Sequence, residues 1–478
     1  MSEATSNFPA TVELEPAKSF AAEHFSGADL GHKKRNQCLL RVAEQICRHP
    51  GGTLPHKLAN PSDYKSMDVL MNRPEVTHAS VQAPHLERTR AKIAAATGVV
   101  LLLHDTTELD YSGLSIPELG PIGNGGGRGY LCHNSLAVDP ARKEVLGLAH
   151  QILHRRVAVG KKEGVKAKRE RKTRESRLWS RAVEALKTPA DAHVVDVADR
   201  GADIFEFLAT EKKLGRRCVV RSQHNRAIQV GHEGTGEHAL LYDHLRSLPE
   251  HGRKSKKVFD RHQGEDRTIE LAMSFAAVML QEPHVKKGEY EDEPLAVWGL
   301  RIWEPDPPKG QKPIEWFVLT FEEITTEEKA CEVSSWYECR YMVEEYHKGM
   351  KTGCEIEHLQ FETEKALQPM IALLSVVTVM LLNLRVACRQ PDADKRKASE
   401  VIDPQYEEIL RHWRYRGPHE ELSIKEFYMT LGRLGGHMNR KRDGFPGWLT
   451  LWRGWMKLQS MLDGAAAERR RHRRCRET

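Results

Sequence analysis

Two short apolar runs, each closed by an acid, constrain this chain most. Val99-Val-Leu-Leu-Leu-His-Asp105 opens with five consecutive apolar residues, and His193-Val-Val-Asp-Val-Ala-Asp199 repeats the pattern before Arg200-Gly-Ala-Asp203. Runs of this length, bounded by turn residues, suit buried strands better than helices. The second leads into Ile204-Phe-Glu-Phe-Leu, which reads as helical. An aspartate at a strand end can simply cap the following helix. One that closes an apolar run is costly to bury unless a cation accompanies it, and a divalent metal is the simplest answer.

A third acid comes from Tyr337-Glu-Cys-Arg340-Tyr-Met-Val-Glu344-Glu-Tyr-His-Lys348-Gly-Met-Lys351. Treated as one α-helix with Tyr337 at zero, Arg340 falls near ~300°, Glu344 near ~340°, Lys348 near ~20° and Lys351 near ~320°. One carboxylate thus sits in a basic stripe with a phenol, as a site holding both a metal and phosphate oxygens requires. An exposed helix laced with i,i+4 ion pairs would look much the same. Glu345, the neighbour of Glu344, projects about 100° away, outside the stripe. Two strand-end aspartates and a helix glutamate make an all-oxygen set suited to Mg²⁺ or Mn²⁺.

These segments resemble the bacterial DDE cut-and-paste transposases that carry the Tyr-Arg-Glu-Lys signature, those of the transposon-five type. The spacing Y-x2-R-x3-E-x6-K is met by Tyr337, Arg340, Glu344 and Lys351. The likeness extends to H-D-T-T-E-L around Asp105, A-D-R-G-A-D around Asp199, V-V-R-S-Q-H at 219–224 and L-Y-D-H-L at 241–245. It continues through R-L-G-G-H-M-N-R-K-R-D-G at 433–444 and W-R-G-W-M-K-L-Q-S-M-L-D-G at 452–464. It is weakest over the first thirty residues and the basic stretch at 155–180.

The resemblance implies an α/β chain with a ribonuclease-H-like catalytic core, a mostly β insertion, and flanking helical N- and C-terminal domains. The expected divisions are 1–96 for DNA-end binding, 97–225 and 316–388 for the core, 226–315 for the insertion, and 389–478 for dimerisation. It implies Asp105, Asp199 and Glu344 as catalytic ligands of two Mg²⁺ ions, for which Mn²⁺ would substitute. It implies Trp316 stacking a flipped base, and Tyr337, Arg340 and Lys351 on the adjoining phosphate, with Lys348 and Arg221 as further DNA contacts. On the residues alone, Trp316 opens a hydrophobic run and could fill a core instead. Transposon-end DNA, target DNA and a second copy of the chain are the expected partners, at the nucleoid of a bacterial cytoplasm. The reaction implied is 3′-strand nicking, hairpin formation and opening, and strand transfer.

The chain has 478 residues, is 40% hydrophobic and 29% charged, and carries a net charge of +6, which fits a globular protein of several domains. Its charge is clustered: 155–177 and the tail 468–476 are strongly basic, as for phosphate contacts, although a solvated tail looks the same. Nine cysteines without a C-x-x-C pair argue against structural zinc and for a reducing compartment. No charged-then-apolar leader is evident, and the apolar segment 370–382 is shorter than a membrane span, so a buried helix started by Pro369 is expected. Residues 31–98 read as short helices that by themselves suit a cap on the core as well as a DNA reader. Trp448, Leu449, Leu451, Trp452, Trp455 and Leu458 form an apolar helix stripe, fit for either a dimer contact or internal packing.

Rival chemistries fare poorly. Asn124-Gly-Gly-Gly-Arg-Gly129 lacks the G-K-[ST] ending of a phosphate loop and precedes a strand, so it reads as a hairpin loop. A two-carboxylate glycosidase built on Asp105 and Asp199 leaves the basic stripe unexplained. The remaining alternatives are a catalytically silent DNA-binding inhibitor of transposition and a plain metal nuclease.

Overall fold

A computed structural model describes residues 17–58, 60–157, 171, 173–186, 192–233, 236–260, 265–282, 294–308, 310, 313–400, 402–440 and 443–477. Most of the basic stretch at 155–180 and the first sixteen residues therefore lie outside the described residues. The chain divides into two compact units, one of His85–His347 with Gln360–Glu364, the other of Met1–Pro84, Lys348–Leu359 and Lys365–Thr478.

The first of these is an α/β unit built on one mixed sheet. Its strands are β1 (Val100–Asp110), β2 (Gly120–Ile122), β3 (Gly127–Asp139), β4 (Glu144–His154), β5 (Val194–Ala198) and β6 (Arg217–Arg221). They continue as β7 (Ala227–Val230), β8 (His238–Leu240), β9 (Gly252–Asp260), β10 (Glu265–Leu280), β11 (Leu295–Trp303) and β12 (Glu315–Thr320). The order is β2-β3-β1-β5-β6-β12-β11-β10-β7-β8, with β4 on β3 and β9 on β10. Among the described residues, only β1-β5 and β5-β6 pair in parallel. Strand β5 is buried along its whole length, as a parallel strand covered on both faces is. Leu178, Val183, Phe207 and Leu208 from the helices Leu178–Ala185 and Phe205–Lys213 join Ala198, Val220 and Leu319 in one core.

Asp105 was expected at a strand end, yet β1 runs five residues beyond it. The parallel ladder to β5 ends at His104↔Ala198, while β1 goes on antiparallel to β3 with Asp105 opposite Asn134. Asp105 therefore marks the end of the parallel pairing, not of the strand. The glycine-rich segment at 124–129 is a hairpin connection, because Gly120–Ile122 pairs with 127–129.

Register between β3 and β4 slips at two bulges. At Gly147, φ is +152° and a Cβ would lie 2.2 Å from Thr89 Oγ1, so only glycine fits. The neighbouring Leu148 N–H donates to His85 Nε2 at 3.0 Å. A side chain thus accepts the bond that the bulge withholds from the ladder.

The other unit is helical among its described residues. Glu364–Ala387 is its longest apolar helix, and Leu367, Ile371, Leu374 and Val377 are fully buried. It begins before Pro369, which lies inside it rather than starting it; the missing proline N–H costs the helix one internal bond. By length and composition it could cross a membrane, but about three quarters of its apolar window is buried within the protein. Ser423 and Glu426 form a reciprocal capping box on the helix Ile424–Leu434. Of the apolar stripe in the helix that starts at Trp448, Leu451, Trp455 and Leu458 pack against Leu410, Phe427 and Leu431. Leu449 alone among the six stripe residues is exposed.

Candidate active site

Asp105 lies where the parallel ladder ends, in a largely buried position. Its Oδ1 accepts the N–H of Thr106 at 2.8 Å, and its Oδ2 lies 3.3 Å from Arg340 Nη1. The other guanidinium nitrogen, Nη2, donates to Glu344 Oε1. Burial pushes the Asp105 carboxyl up to about 7; the Asp199 charge adds to this, Arg340 opposes it, and Glu344 adds a smaller push. Asp105 therefore feels the charge of acids from two distant segments, and it shares Arg340 with one of them, Glu344.

Asp199 follows β5 directly and caps the short turn Arg200–Ala202, its Oδ1 accepting Gly201 N–H at 2.9 Å. The cap weighed from sequence thus falls on this short turn and not on the helix Phe205–Lys213, whose N-cap is Ile204. A Cβ on Gly201 would lie 2.8 Å from the Trp179 ring and 3.1 Å from Asp199 Oδ1, which explains the glycine of A-D-R-G-A-D. Trp179 meets the buried His133 edge-on at 5.4 Å, and His133 Nδ1 is 2.8 Å from the Thr106 hydroxyl. Burial, with His104 nearby, pushes the His133 pKa well down, which keeps it neutral. A continuous packed layer thus links the turn of Asp199 to the strand of Asp105.

Sequence reasoning missed two supports. Asp203, 2% exposed, accepts from Ser222 Oγ (3.1 Å), Gln223 N–H (2.6 Å) and His224 N–H (3.1 Å), and its other oxygen takes Arg226. This carboxylate ties A-D-R-G-A-D to V-V-R-S-Q-H. Beneath the sheet, Arg216 forks onto Asp196 at 2.7 and 2.8 Å, and His104 Nε2 sits 2.7 Å from the same carboxylate. Burial works against the Asp196 charge, but Arg216 and His104 outweigh it and hold its pKa below the ordinary value. The signal for Asp203 was its place in a dense motif; for Arg216 there was none.

The Tyr337–Lys351 stretch is not one helix. Glu327–Glu338 ends, and Arg340 N–H bonds Tyr337 C=O while Val343 N–H bonds Arg340 C=O, both three residues back. This tight turn precedes the helix Tyr341–Lys348, and Gly349–Gly353 then forms a wide π turn. Helical arithmetic fails across both junctions. Even so, Tyr337, Arg340 and Glu344 remain together, with the Arg340 guanidinium 6.0 Å from the Tyr337 ring centre. Lys348 and Lys351 belong to the helical unit, where Lys348 is exposed and Lys351 pairs with Glu357 at 3.1 Å.

Trp316, on β12, is half-buried rather than sunk in the core. It meets Tyr337 edge-on at 5.6 Å, with Arg221 5.7 Å and Lys256 Nζ 6.0 Å from its ring centre. Lys256 and Lys254, from alternate positions of β9, also hold Glu338 at 3.0 and 3.2 Å. Both lysines went unnoticed, although R-K-S-K-K at 253–257 is visibly basic. Among the described residues, no three His, Cys, Asp or Glu side chains stand close enough to ligate one ion. No protein-family model matches the chain.

Proposed function

We propose that this chain is a DDE-class DNA transposase, acting on transposon-end and target DNA as a homodimer in a bacterial cytoplasm. One observation carries the proposal: Asp105 and Glu344 share Arg340, and Asp199 is near enough to raise the Asp105 pKa. The strand order β4-β3-β1-β5-β6, with β3 antiparallel and β1, β5 and β6 parallel, supports a ribonuclease-H-like core. Strands β7 to β11 then form the β insertion, and the helical unit supplies the flanking domains.

The donor set fits Mg²⁺ or Mn²⁺ in chemistry, since all three groups are carboxylates, and the Asp199 and Glu344 charges add to the burial that raises the Asp105 pKa. Arg340 stands among these oxygens, so no coordination geometry is assigned. Two bound ions would activate the attacking oxygen and stabilise the leaving one. Asp105, Asp199 and Glu344 would hold them. Arg340 and Tyr337, with Arg221, would grip the phosphate beside the scissile bond, and Lys348 and Lys351 would add contacts. Trp316 would stack a base flipped out during hairpin formation, an interaction worth about 1–3 kcal/mol. Water, the freed 3′-hydroxyl, water again and the 3′-end against target DNA are successive nucleophiles in the same in-line displacement.

Incubation with Mg²⁺ and a duplex bearing the element's terminal repeats tests this reading. Hairpins and joined products are expected. Fragments alone would mean a plain nuclease, and no reaction a silent DNA-binding inhibitor.

A further inference from the structure

We infer that Arg340 competes with divalent ions for Asp105 and Glu344, and that a DNA phosphate relieves the competition by drawing the guanidinium to itself. The inference rests on the transposase reading and concerns how that site is regulated. Arg340 reaches both acids at once, with Nη1 on Asp105 Oδ2 at 3.3 Å and Nη2 on Glu344 Oε1. A cation that enters between them must displace those bonds.

The two acids are unequal: the side chain of Asp105 is 16% exposed and that of Glu344 44%. Glu344 is the one free to swing, while Asp105 is fixed by the strand and by Thr106 N–H. On its other side Arg340 faces Tyr337, which leads to Trp316, Arg221 and Lys256. An arriving phosphate meets two cations there, and a guanidinium matches phosphate as well as carboxylate. Once Arg340 turns to the phosphate, Asp105 and Glu344 lose their counter-charge beside Asp199. Uncompensated, partly buried carboxylates are costly, so affinity for a divalent ion rises. By linkage, the ion must strengthen DNA binding by the same factor. The protein would then arm its cutting centre chiefly when DNA is in place.

Mn²⁺ titrations of the full chain, read from the free-ion paramagnetic resonance signal, test this. They are run with and without a generic 30-base-pair duplex, subtracting ion bound by the duplex alone. Wild type should gain roughly tenfold in Mn²⁺ affinity when the duplex is added, within the usual range of coupling. Arg340→Gln should show the higher affinity without DNA and gain little from it. Arg340→Lys, which cannot bridge two carboxylates with a fork, should fall between and guards against a folding defect in the glutamine variant. Equal affinities of wild type and Arg340→Gln without DNA overturn the inference, as does an equal gain from DNA in both. If neither Asp105→Asn nor Glu344→Gln weakens Mn²⁺ binding under any condition, the metal-site reading itself fails, whatever Arg340 does.

Discussion

At the scale of single residues, Asp105 pays for its position in a way that can be measured. Its folded pKa of about 7 lies above the ordinary 3.8. Between these values the folded chain binds more protons than the unfolded one, so stability falls as pH rises through the window and the full cost is present above pH 7. Asp105→Asn removes the cost. The ceiling is about 4 kcal/mol for about three units at 1.36 kcal/mol each, reduced by the lost Arg340 contact. Denaturant titration should find the variant close to wild type near pH 4 and more stable by about 1–3 kcal/mol at pH 8; a gap independent of pH would remove the explanation. Glu344→Gln should abolish Mg²⁺-dependent nicking while leaving end-DNA retention on gels nearly intact. Trp316→Ala should nick normally but form few hairpins, because Trp316 is half-buried and its loss opens no core cavity. Equal loss at both steps would indicate damage to the fold instead.

Among elements, the turn after β5 is tightly specified at Gly201. Gly201→Ala would drive a methyl against Trp179 and the Asp199 carboxylate, and should cost about 1–3 kcal/mol on thermal melting. The signal in sequence was good for such short elements. Apolar runs ending in acid marked β1 and β5, and the glycine of A-D-R-G-A-D marked the turn between β5 and its helix. Two features were not legible. The break at Cys339–Arg340 follows from tertiary context, since nothing in E-C-R-Y-M opposes a continuous helix. The onset of the apolar helix at Glu364, five residues before Pro369, shows a proline tolerated where burial of Leu367 and Ile371 outweighs one missing bond. Lys256 was hidden for another reason: its neighbours Trp316 and Glu338 arrive from strands and helices far along the chain, and only pairing of β9 to β10 brings it there.

For the whole molecule, the aromatic stripe of the last helix is already spent on internal packing. Trp455→Ala should therefore lower thermal stability by about 3–5 kcal/mol, with a melting temperature that does not depend on protein concentration. A strong concentration dependence restored at high protein would instead assign the stripe to contact between copies. The sheet has a larger consequence. Strand β12 pairs with β6 on one side and β11 on the other, so strands β7 to β11 are hydrogen-bonded into the platform that carries Asp105 and Asp199. Excising that stretch would leave Trp316 on a raw, unprotected border with a row of unsatisfied amides. Shortened versions of this protein should then clump or swap strands rather than persist as slimmer monomers.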